Sequence, residues 1–471
     1  MIKGDSIYQV LLKHDFDLFC DKKTISRYME HHLKNYCSQI IDAMNAENDF
    51  LGADFIDELK LEITTLEHVC NEIPLILKSF EDGYIKEAYE KSGTFFEAMK
   101  KHYLLGYSWS GNGGSFYRIR SGDFRIRPES DSKKQKAELF HIKKDLKSRI
   151  GAYRYSIAGF PCLYLASDME LAWFECGMPK QFSYCQMVIE EGEEALKLID
   201  LSRRPIEFIS GINTFILNER RQKNRKEKLQ IYYDILIKYI ITYPIAAACS
   251  VKVKDRGCKF VEEYIFPQLF MHWIRESQEF DGVRYKSSLN SSLVKGMGAV
   301  NVALPAKTFR EDGLDDKLTA KIGVSDIGYF DVNQDFERYG KALQELTDFK
   351  NQLRIYGIEA QYAGDYIFDI MDMCECIIKT YNALIDGRYD NSELLFNHLD
   401  RLCDHVDLMY YYRENIIDKC IKRAPPTHEK YVDKALMLSH FEEFYKLACE
   451  IITKHAVFTF HFENMGNIEH I

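Results

Sequence analysis

The chain has 471 residues, 46% of them hydrophobic, with 30 Tyr and 30 Phe; this core-forming composition is enough for about three domains and excludes a disordered protein. The formal net charge of -10 gives no global basic excess for nucleic acid or an anionic membrane surface. No stretch approaches the ~20 apolar residues of a membrane span and the first residues do not suit a signal peptide, so a cytoplasmic protein is expected. The 13 Cys are scattered without a CxxC pair. Cys374 and Cys376 form a lone CxC, which fits free thiols in a reducing compartment and no structural zinc.

Residues 1–105 carry helical periodicity, clearest in TISRYMEHHLKNYCSQIIDAM and DFIDELKLEITTLEHVCNEIPLIL, with Thr24 or Ser26 as a cap. GYSWSGNGGSFYRIR (106–120) is Gly- and Ser-rich before an aromatic run and marks a boundary. From 116 to about 335 the texture is mixed. Strand-like runs are FYRIR, CLYLA, IAAACSVKV (245–253), GVRYKS (282–287) and AVNVAL (299–304). PQLFMHWIRES reads as a helix, with Pro267 in its first turn. From 336 to 471, four long amphipathic segments suggest a helical bundle. The expected organisation is a helical domain over 1–105, a mixed catalytic domain over 106–335 and a helical bundle over 336–471.

Candidate site residues fall in the middle region. In FYRIR, alternation places Phe116, Arg118 and Arg120 on one face, an arrangement that suits an anion. CLYLA holds one polar tip, Tyr164, whose hydroxyl needs a partner if buried. SDME then fits a capping box, with Ser167 as cap and Glu170 three residues on. The helix through LAWFE puts Glu175 on the face of Leu171 and Ala172, which should point inward; Gly177 and Pro179 nearby would instead allow an exposed corner. In DGVRYKSS, Val283, Tyr285 and Ser287 share a strand face, and no His is placed to activate Ser287 as a nucleophile.

Taken in order, FYRIR, RYSIAGFPCLYLAS with AWFE, CSVKVK, EEYIFPQLFMHWIRE, FDGVRYKSS and NVALP resemble the RES domain family over about residues 116–305. The resemblance implies an α+β fold with a mixed sheet similar to ADP-ribosyltransferases and a toxin-like enzyme that breaks down NAD; the all-α flanks on either side are read from periodicity and lie outside it. It implies catalytic roles for Glu175, Arg118 and Ser287. Tyr164, Arg120, Arg154, Tyr155 and Tyr285 would bind substrate, with Arg120 a rival to Arg118. Glu175 and Ser287 lie 112 residues apart (287 − 175), longer than in short stand-alone toxins, and the basic segment NERRQKNRKEK (218–228) falls inside that insertion.

These residue types suit cleavage of the nicotinamide–ribose bond. A carboxylate stabilises an oxocarbenium-like centre, an Arg grips pyrophosphate and a Tyr face stacks on the base. NAD is then a substrate and no separate cofactor or metal is implied. Hydrolysis, phosphorolysis with phosphate as co-substrate, and ADP-ribosyl transfer to a macromolecule differ only in the nucleophile. Two other classes remain open. Arg27 and His32 in RYMEHH match the R-x-x-x-x-H element of HEPN-type ribonucleases, though residues five apart share a helix face poorly. The helical flanks could also be interaction modules that oligomerise the chain, dock a regulatory protein or restrain the enzyme, as would suit phage defence by NAD depletion.

Overall fold

The computed structural model describes residues 6–331, apart from positions 15, 17, 21–22, 46–52, 106–114, 126–131, 178, 180, 190–194, 205–224, 255–257 and 289–299, together with residues 469–470. The helices expected over 336–471 and residues 218–224 of the basic segment therefore lie outside the described residues, save that final pair.

Five helices open the chain: α1 (Ile7–Lys13), α2 (Ile25–Met44), α3 (Ala53–Leu61), α4 (Ile63–Glu81) and α5 (Ile85–Ala98). Ser6 and Gln9 form a reciprocal capping box on α1. Thr24 is the N-cap of α2 but makes no side-chain cap bond. Instead Glu81, at the end of α4, accepts from the backbone N–H and the hydroxyl of Ser26. A first-turn donor of α2 is thus satisfied by a neighbouring helix.

The strands are β1 (Ser115–Ser121), β2 (Cys162–Ala166), β3 (Gln181–Ile189), β4 (Leu198–Leu201), β5 (Gly282–Lys286), β6 (Val300–Pro305), β7 (Ile322–Val324), β8 (Gly328–Asp331) and β9 (Glu469–His470). They form one mixed sheet in the order β4-β5-β6-β2-β1-β3-β7-β9, with β8 also paired to β3. The β4–β5 pair is parallel and the others are antiparallel. Between and after the strands come α6 (Ser132–Leu139), α7 (Met169–Glu175), α8 (Arg225–Ser250), α9 (Ile265–Glu276) and α10 (Asp316–Lys321). The architecture is mixed α+β.

Side chains of paired strand residues point to one side of a sheet, which divides the molecule into two cores. One face carries Val283, Tyr285 and Ala303 into a large core shared with α2, α4, α5, α8 and α9. The other carries Phe116, Leu163, Leu165, Met187, Val302 and Leu304 into a smaller core with Leu139 of α6 and Leu318 of α10. The helices before residue 105 are therefore packed into the same core as the sheet.

One expected strand is overturned. IAAAC of IAAACSVKV is the last part of the 26-residue helix α8, which runs through Pro244. Every residue from Tyr239 to Val251 is buried. An apolar run buried on all sides has no periodicity to tell helix from strand, and three consecutive Ala favour the helix. Conversely β3, which pairs with β1 over seven residues, is absent from the expected strands.

Candidate active site

Strands β1 and β2 are joined at one residue pair, Tyr117 with Ala166, whereas β2 and β6 pair over five. Past that pair the two strands part, and α7 packs against both of them. Asp168, not the expected Ser167, caps α7: its carboxylate accepts from the Leu171 N–H at 2.8 Å, and the Ser167 hydroxyl donates to Asp168. Leu171, Ala172, Trp173 and Phe174 are buried. The helix ends at Glu175, and Cys176 and Gly177, with φ +76°, turn the chain away.

Glu175 is exposed, so of the two placements its spacing allowed, the exposed corner beside Gly177 and Pro179 is the one found: the helix ends before that face is covered. The carboxylate is nonetheless held. Ser287 Oγ, just past β5, and Asn301 Nδ2, on β6, both donate to Glu175 Oε1 at 2.7 Å. Oε2 accepts no hydrogen bond from the described residues. A carboxylate at a helix C-terminus opposes the local dipole, so the two donors offset an unfavourable position.

Arg118 and Arg120 are separated by the structure although they share a strand face. Arg118 is half-buried and donates from one terminal nitrogen to the Tyr164 carbonyl at 2.6 Å, across the opening between β1 and β2. Its buried Nε has no partner, and among the described residues no carboxylate pairs with it. Burial lowers its pKa from the usual arginine value. Arg120 instead donates to the Glu138 carbonyl of α6. Burial first, and then the charge of Arg118, push its pKa down to about 10.

The tyrosines line the sheet toward Glu175. Tyr164 is half-buried and donates to Ser156 Oγ at 2.9 Å, with Tyr153 edge-on at 6.1 Å. Burial raises its phenol pKa. The rings of Tyr285 and Tyr155 lie 4.4 Å apart, and the Tyr285 phenol is held up by burial and then by the nearby Glu175 charge. Tyr155 is wholly buried, so it supports Tyr285 from behind and does not face solvent.

Arg154, expected to bind substrate, is 7% exposed and is used inside the protein. One terminal nitrogen donates to the carbonyls of Cys249 and Val251 at the end of α8, at 2.9 and 3.0 Å. The other donates to Ser288 Oγ at 2.7 Å. Arg154 thus ties the segment after β5, which carries Ser287, to the C-terminus of α8. Asn301 was missed as a site residue. Its signal was present: in AVNVAL the amide alternates with Ala303 and Leu304 flanks them, so one polar side chain falls on an inner face.

The histidines of α2 are placed elsewhere. Arg27 and His31 are exposed. His32 Nε2 lies 3.0 Å from the Tyr243 hydroxyl of α8, and its ring stacks on Tyr28. Burial, with the neighbouring His14 and His31, pulls its pKa down to about 4. These contacts are those of a packing histidine. An apolar recess lined by Phe160, Cys162, Met271 and Arg275 lies at the far end of β2 from Glu175. Arg275 covers Phe160 there at 4.5 Å and bonds the Ala306 carbonyl. Among the described residues no helix is long and apolar enough to cross a membrane.

No family model matches the chain, and no solved structure matches it. Over 303 residues it is 29% identical to a protein of Bacillus subtilis (strain 168) named "Putative toxin YopC". The match covers 60% of this chain and 65% of that relative, so it spans less than two thirds of the relative's length.

Proposed function

We propose that the chain is a toxin-like enzyme that consumes NAD by cleaving the bond between nicotinamide and ribose. The relative's name supports the toxin character. The NAD chemistry is carried by one observation: an exposed carboxylate, Glu175, anchored through one oxygen by Ser287 and Asn301 with the other oxygen unused. Cleavage builds positive charge at the ribose carbon, and a fixed carboxylate stabilises it without reorganising. The unused oxygen can also accept from a ribose hydroxyl or from the attacking water or phosphate.

Arg118 supplies the second requirement. A guanidinium without a counter-charge among the described residues, in a gap between strands, suits the pyrophosphate of a dinucleotide. Tyr164 and Tyr153 offer aromatic surface beside it. Arg154 contributes by holding the Ser287–Ser288 segment in place. Because α8 packs on the N-terminal helices, that bond also links those helices to the site, and the flanks act as restraints on the enzyme in this proposal.

Incubating purified full-length protein with NAD, with and without phosphate, tests the proposal. ADP-ribose identifies hydrolysis, ADP-ribose 1″-phosphate identifies phosphorolysis, and a labelled macromolecule identifies transfer. Intact NAD in every condition, in protein that still arrests cell growth on expression, would overturn it.

A further inference from the structure

Asn301 is 3% exposed and lies in the sheet interior, with its backbone paired to Ala166 of β2 on one side and Tyr285 of β5 on the other. A carboxylate can only accept hydrogen bonds, so the amide must present its NH₂ end to Glu175. The two donors to Glu175 Oε1 are therefore unequal. The Ser287 hydroxyl sits half-exposed beyond the end of β5 and can rotate to another acceptor. The Asn301 amide is fixed by strands on both sides and cannot follow a substrate.

We propose that Asn301 is the positioning residue of Glu175: it keeps Oε1 occupied and Oε2 directed outward while the Ser287 hydroxyl is released to engage the substrate. This assignment rests on Glu175 acting on NAD as proposed above. A carboxylate held at one oxygen keeps the other in a fixed direction, and small errors of direction at a reacting centre are costly in rate. Asn301 does not touch the substrate; it acts through Glu175.

The test compares full-length wild type with Asn301→Ala and Asn301→Asp. Asn301→Ala is expected to lower kcat about 10–100-fold, with the KM for NAD within about threefold. Asn301→Asp should match that loss at pH 8 and recover relative to wild type as the pH falls to 5.5. Its carboxyl must carry a proton before it can donate to Glu175, and like charges at that spacing favour taking one up. Equal loss in both variants at every pH, following a drop in melting temperature, would mean a merely structural role and overturn the assignment; so would wild-type kcat in Asn301→Ala. A crystal structure of Asn301→Ala decides the matter without turnover. The Glu175 carboxylate is expected to leave its position or split into conformers. A carboxylate still in one conformer on Ser287 overturns the assignment even if wild type leaves NAD intact, and that last result alone would remove the NAD proposal.

Discussion

The helical wall and the sheet opening treat polar groups in opposite ways. In the wall, His32 meets Tyr243, the Tyr36 hydroxyl donates to the Ile240 carbonyl at 3.0 Å, and Arg154 places its terminal nitrogens on two carbonyls and a hydroxyl. In the opening, Glu175 stands exposed with one oxygen unused, and Arg118 keeps a buried Nε without a partner. A polar group satisfied by its own protein stabilises the fold, whereas one left unsatisfied at an opening is available to a ligand. The difference teaches that residue type alone does not mark the site: two arginines 36 residues apart (154 − 118) serve opposite purposes.

The largest expected effect that sharpens this contrast is at Glu175. Glu175→Gln keeps the shape and removes the charge, and NAD consumption should fall about 10²–10³-fold. Because the side chain is exposed, the melting temperature should change little, in line with the roughly ±0.5 kcal/mol of ordinary surface changes. Wild-type turnover by this variant would place Glu175 with the structural residues. Arg154→Ala comes next and has the reverse signature. It strips two buried carbonyls and Ser288 of their donor, so a stability loss of about 3 kcal/mol is expected by chemical denaturation. If the variant denatures like wild type but binds NAD weakly, the comparison breaks.

Arg118→Ala should act on binding, raising the KM for NAD about 10–100-fold through loss of a charge-assisted contact. Arg120→Ala should change it by less than about threefold, since that side chain turns to α6. An isothermal titration with Arg120→Ala as the weaker binder would move the anion site from the gap between β1 and β2 toward α6.

Several strands around the candidate site were legible in the sequence because they are short and alternate clearly, whereas the candidate residues were gathered only by the resemblance to the RES family. CLYLA is β2 with the expected bounds, and the expected strand GVRYKS is β5 except for Ser287, which falls just past its end. Alternation also puts Arg118 and Arg120 on one face. It does not reveal that β1 and β2 part after Tyr117, which is what lets Arg118 reach the Tyr164 carbonyl while Arg120 turns to α6. Whether Glu175 faced inward or stood at an exposed corner stayed open for a related reason. Helical spacing sets a direction, but where the covering elements end is decided by tertiary packing. Arg154 looked like a ligand group because its role is read only against α8, and the end of α8 was itself read as a strand.

The smallest expected effect concerns pH and lies in the wall. His32 is packed among Tyr28, Tyr243 and His14 and is held neutral, with its pKa lowered to about 4 from an ordinary value of 6.5. The folded state therefore binds this proton less readily than the unfolded chain does. The stabilising contribution is full above about pH 6.5 and is lost as the pH falls toward 4. Between pH 7 and 5.5 it amounts to about 1 kcal/mol, or a melting shift of roughly 1 °C for a chain of this size. His14 is also lowered by burial and adds a loss of the same sign, so wild type alone does not isolate His32. The difference between wild type and His32→Gln does, because Gln can still meet the Tyr243 hydroxyl but cannot take up a proton. His32→Gln should lose about that share of the acid sensitivity, while NAD consumption at pH 7.5 stays unchanged. Identical melting shifts in the two proteins would show that the wall tolerates a charged imidazole. RNA cleavage that disappears in His32→Gln would make the histidine catalytic and erase the contrast between wall and opening.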